Sequence, residues 1–267
     1  MNSYLNKEFL LVKFPIVFPL IYFFILVSFP NLETYLIFFT ILLLAEPHFG
    51  ATWPFFINKS NKEFINSNKF NLIYIPLIIV LLSLAAFIFF QNIFYLIFFA
   101  VNMYHVARQS LGVTKLYSEN KSDINFNERM IYFFNFLFFV IAYIKFFLNI
   151  DLSEYIFLLN ILIIGLILGC KIIYIFLFGF NQNLFSLLTG VLIFYPVLIV
   201  NNPVHVILFG VTMHFSQYLY LTNKVVTQRE IQEKKVSRKN YLSFKFIVTI
   251  ILYGILMAMF SLFGIFE

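Results

Sequence analysis

Charge is scarce in this chain. Only 11% of its 267 residues are Asp, Glu, Lys or Arg, where a soluble globular domain carries roughly 25%. Hydrophobic residues make up 62%, so no stretch is left polar enough to form a soluble domain, and residues 1–267 read as a single integral membrane domain. Cysteine is nearly absent as well. Cys170 stands alone, which excludes a disulfide framework and leaves an inert thiol of small apolar character. Histidine occurs four times, too few for the clustered histidine boxes of membrane desaturases and hydroxylases. Neither H-E-x-x-H nor G-x-S-x-G occurs, which sets aside zinc-protease and serine-hydrolase chemistry. No internal repeat is evident.

What the chain does have is apolar length. Runs of about 20 residues recur throughout, each able to cross roughly 30 Å of hydrocarbon as a helix rising about 1.5 Å per residue. The first run, from Phe14 to Phe29, follows Lys7 and Lys13 but lacks a small-residue cleavage site, so it reads as a retained span rather than a signal peptide. The fold expected is all-α, a polytopic transmembrane helix bundle of eight to nine spans. They are drawn at 10–29, 34–57, 70–90, 93–114, 130–149, 154–178, 183–200, 203–223 and 243–265. The seventh is short and broken by Pro196. The 40 Phe read as lipid-facing bulk.

Basic residues test this drawing. With nine spans, sixteen of the eighteen Lys and Arg fall at or near one face, which the positive-inside rule makes cytoplasmic, with the N-terminus on that side. The opposite connections, around Glu33, Gln91, Asp151 and Asn201, are short and neutral or acidic. The expected location is therefore the cytoplasmic (inner) membrane, multi-pass. Lys145 and Lys171 are the exceptions, and their apolar stems let them snorkel to an interface. The basic connection from Lys224 to Lys245 reads as a topology signal that touches anionic lipid rather than nucleic acid.

Three histidines, His48, His105 and His214, each fall about nine residues before the basic end of a different apolar run, which would bring them to one depth; ionisable residues at membrane depth are candidates for function by default. For any one of them an interhelical hydrogen bond is the plainer account. Three at matched depth, each with polar neighbours, favour a site. His205 lies nine residues before His214, toward the other side of the membrane, and is not assigned to it.

The neighbours are specific. Pro47 and Pro54 each remove a backbone donor, so the second span should open around Glu46, His48 and Thr52. In a straight helix Glu46 faces away from His48 while Thr52 shares its face. Asn102, His105 and Gln109 form one stripe with Arg108 beside it. That guanidinium suits a neutral, metal-ligating imidazole, and could equally hold a carboxylate such as Glu46. His214, Gln217 and Tyr218 occupy i, i+3 and i+4. Three imidazoles with an open position suit Fe2+, and Zn2+ as well. Glu46, Asn102, Gln109, Gln217 and Tyr218 are available to orient the rings. Glu46, Arg108 and Tyr218 are the candidates for a part in catalysis.

Pro47-His48-Phe49-Gly50 at the end of one span, His105 at the end of another, and His214 far downstream resemble the order and spacing of histidine motifs in the Brp/Blh family, bacterial membrane beta-carotene dioxygenases. The resemblance implies that His48, His105 and His214 ligate non-haem iron, and that the substrate is a carotenoid or another isoprenoid. The chain departs from that pattern in lacking an Asp after Gly50, in having Tyr218 where the family has a second late histidine, and in lacking a final histidine motif. The expected function is thus a His-ligated oxygenase acting on a hydrophobic small molecule that enters from membrane lipid. The alternatives from the residues alone are a transporter or channel with an intramembrane polar pathway, and a non-catalytic scaffold subunit.

Overall fold

Backbone groups in hydrocarbon must bond within their own segment, which leaves the helix as the natural element for such a sequence. The computed structural model describes residues 7–57, 61–118, 120–234 and 243–262, and every regular element among them is helical. In chain order these are α1 (Val17–Ser28), α2 (Glu33–Thr40), α3 (Glu46–Gly50), α4 (Trp53–Ile57), α5 (Lys62–Ser67), α6 (Ile75–Phe89) and α7 (Gln91–Tyr117). There follow α8 (Lys121–Ala142), α9 (Ile156–Phe178), α10 (Asn183–Leu192), α11 (Pro203–Lys234) and α12 (Phe244–Leu262). Lys59, Lys235, Arg238 and Lys239 of the basic connections lie outside the described residues, as does the end of the ninth expected span.

Among the described residues, five stretches are long and apolar enough to cross a membrane: Pro30–Phe56, Phe70–Phe89, Lys121–Phe147, Ile156–Phe178 and Pro203–Gln232. They match the second, third, fifth, sixth and eighth expected spans. The first and seventh are shorter than drawn. α1 has 12 residues and α10 has 10, because Phe14-Pro15 and Pro196 interrupt the runs. α7 covers the fourth expected span with 27 residues, but Asn102, His105, Arg108 and Gln109 dilute its apolar character. Outward-facing side chains are those lipid accepts. α6 buries none of its residues, and Phe176 on α9 is 87% exposed.

The chain divides into two compact units, the first made of Met1–Thr40 with Ala100–Gln217 and the second of Ile41–Phe99 with Tyr218–Glu267. In the first unit α8 packs on α10. Ile131, Phe134, Phe138 and Ile141 recur at helical spacing and are buried, as are Leu184, Leu187 and Val191 of α10. Polar bonds, not apolar burial alone, fix the register, as expected where the solvent is itself apolar. The π-helical turn Phe9–Lys13 gives up three carbonyls: Ser216 Oγ donates to Leu11 (3.0 Å), Gln217 Nε2 to Val12 (2.6 Å) and Thr189 Oγ1 to Lys13 (2.8 Å). Lys145 Nζ donates to the carbonyls of Val197 (3.1 Å) and Val200 (2.7 Å), closing the tight turn Tyr195–Leu198. Its ammonium therefore caps backbone where snorkelling was expected. At Gly210 of α11 a Cβ would fall on the carbonyl oxygen of Ile193, so only glycine allows that approach. α9 ends at Gly179, whose φ of 74° lies in the region glycine adopts without strain.

In the second unit the prolines break the second span into pieces. A π-turn, Ile41–Ala45, precedes Pro47, and a turn at residues 51–52 separates α3 from α4 before Pro54. The wide π-turn sits where the proline ring would meet the carbonyl four residues back. α3 packs on α12, and the contact depends on Gly50, where a Cβ would lie 2.9 Å from Tyr253 Cβ and 3.0 Å from Ile250 Cα. Ala51, Val226 and Phe246 form a small core there, with Tyr218 and Phe55 against it.

Candidate metal centre

Two of the three histidines belong to the first unit. His105 projects from α7 and His214 from α11, with ring centroids 6.3 Å apart and planes at 84°. His214 is buried and His105 exposed. Edge-on imidazoles at this separation can turn one nitrogen each toward a shared point. Gln109, one turn beyond His105, is half-buried, and its Oε1 has no hydrogen-bond partner among the described residues. Arg108 is exposed on α7, close enough to Tyr132 of α8 for its charge to act there. Gln217 was expected among the residues that orient the rings. Its Nε2 holds the Val12 carbonyl at 2.6 Å, and its Oε1 has no hydrogen-bond partner among the described residues.

The third histidine belongs to the second unit. His48 on α3 is 5% exposed, and its ring packs edge-on against Tyr218 with centroids 4.3 Å apart. The Tyr218 hydroxyl shares a 3.2 Å hydrogen bond with Thr52 Oγ1. The opened backbone after Pro47 therefore brings His48 and Thr52 to the same tyrosine. Glu46 is turned toward α12, near enough to Tyr253 for their charges to interact, and its Oε2 has no hydrogen-bond partner among the described residues.

His205 is held apart in the first unit by a relay that sequence reasoning missed. The Tyr22 hydroxyl shares a 2.6 Å hydrogen bond with Nδ1, and Nε2–H donates to Glu33 Oε1 at 2.7 Å. Asn202 Nδ2 adds a 3.3 Å bond to the same carboxylate oxygen. Both ring nitrogens are engaged within the fold, which sets this imidazole apart from the other three. Its partners lie 183 and 172 residues away in sequence, and no local pattern announces them. The apolar helix faces around Asn135 were likewise silent in the sequence. No family model, curated protein or solved structure matches the chain.

Proposed function

We propose that this protein is a multi-pass enzyme of the cytoplasmic membrane, with nine spans and a cytoplasmic N-terminus, in which His48, His105 and His214 hold one iron ion. What supports the reading is a pair of ring contacts, one within each unit, whose members Tyr218 and His214 are neighbours on α11. His48 packs on Tyr218, Tyr218 follows His214 by one turn of α11, and His214 meets His105. Each imidazole offers one ring nitrogen, and a set of three neutral nitrogens leaves positions open for a reactant. Iron in such a set supplies oxidative chemistry with dioxygen; zinc in the same set supplies hydrolytic chemistry.

The protein's own residues do the rest. Tyr218 restricts the plane of the His48 ring, and Thr52 fixes the tyrosine hydroxyl, which can hold a proton beside the site. Arg108 would stabilise negative charge that develops nearby. The surrounding apolar side chains exclude water and admit substrate from lipid, which favours an unsaturated hydrocarbon such as a carotenoid or other isoprenoid, as the Brp/Blh resemblance implies. The test is metal content. Protein purified in detergent from iron-supplemented cells should carry about one iron per chain that a chelator removes only slowly. Transition metal at the level of a control membrane protein lacking histidine would contradict the reading.

A further inference from the structure

Unpaired polar atoms are costly in hydrocarbon, so a buried acceptor beside an apolar cleft indicates a missing donor. In the first unit, α7 presents Ala100, Tyr104 and Ala107 on one face, and α8 presents Tyr132, Asn135 and Phe136 on the face opposite. The two alanines leave room between the helices, and a cleft of about 310 Å³ results, at the lower end of the range for small-molecule sites. Tyr104 and Tyr132 stack with ring centroids 6.0 Å apart and planes at 13°, forming a flat wall. Tyr104 and Phe136 are exposed, so the cleft opens on the lipid-facing surface.

Asn135 is the polar residue of this lining that is itself buried, at 5% exposure. Its Nδ2 donates to the carbonyls of Ile131 (2.7 Å) and Gly190 (2.9 Å), which uses both amide hydrogens and fixes which end is nitrogen. Because the amide is planar, Oδ1 points away from both carbonyls, and it has no hydrogen-bond partner among the described residues. A lone water would satisfy that oxygen but find few further polar partners among the walls. No residue of the lining is acidic, so a charged donor would find no counter-ion on these walls. What fits is a neutral hydroxyl attached to an apolar body.

We propose that the α7–α8 cleft binds a lipid-soluble alcohol with an unsaturated or ring-bearing body, its hydroxyl donating to Asn135 Oδ1 and its body lying along Tyr104 and Tyr132. The proposal goes beyond the oxidative reading and does not depend on metal. The experiment measures tritiated all-trans-geranylgeraniol binding to the full chain in lipid nanodiscs, with chelator present so that the result is separate from metal occupancy. Saturable binding is expected, with the methyl ether of geranylgeraniol competing about tenfold less well because it cannot donate a hydrogen bond. Ala100→Phe, which fills the cleft from α7, should lower affinity by about tenfold or more. Absence of saturable binding, equal competition by alcohol and ether, or unchanged affinity in a folded Ala100→Phe protein would each overturn the assignment.

Discussion

His205 and His214 lie about 13 Å apart along α11 at 1.5 Å per residue, and their surroundings give them different work. His205 is closed by Tyr22 on one nitrogen and Glu33 on the other. Removing it strands the buried Tyr22 hydroxyl, while Glu33, with its side chain 45% exposed, can turn to water. A stranded buried hydroxyl costs about 1–3 kcal/mol. His205→Ala should therefore lower the thermal unfolding midpoint in detergent and leave bound iron unchanged. Loss of iron from a folded His205→Ala protein would show that the relay belongs to the metal site. That His214 and Tyr218 share one helix at i, i+4 was legible in the sequence. The sequence was uninformative for Tyr22, Glu33 and Asn135, whose partners are set by packing between segments far apart in the chain.

Helix contacts turn on single glycines. Gly210→Ala places a methyl group against the Ile193 carbonyl, and backbone cannot yield as a flexible side chain can. The expected loss is about 1–3 kcal/mol or more of stability. Gly165 of α9 is the matched control, since a Cβ there meets nothing within 4 Å. Gly165→Ala should be neutral, or stabilising by up to about 1 kcal/mol. Equal midpoints for the two variants would contradict the close approach of α11 to Ile193. Elements were legible in proportion to their uninterrupted apolar length. The sixth and eighth expected spans begin within two residues of α9 and α11, and the opening at Pro47 follows from the missing backbone donor. Apolar runs broken by proline were overdrawn, because composition alone does not show where the helix stops, as α1 and α10 demonstrate. The pairing of α3 with α12 through Gly50 was not legible, since a glycine in a helical run does not say what approaches it.

Across the whole molecule, charge bias and apolar length make a claim about topology. Lys121–Phe147 separates the chain before Lys121 from the connection at residues 148–155, so the two should lie on opposite sides of the membrane. Alkaline phosphatase fused after Asn120 should be inactive, and fused after Leu152 active, if the basic face is cytoplasmic. Equal activity at both positions would remove the fifth span. A donor set shared by three histidines makes a prediction for the metal content of single variants. His48→Ala, His105→Ala and His214→Ala, each purified folded from iron-supplemented cells beside the parent and His205→Ala, should each bind iron about tenfold or more weakly, while His205→Ala keeps the parent's stoichiometry. Retention of parental iron by all three would contradict a shared site.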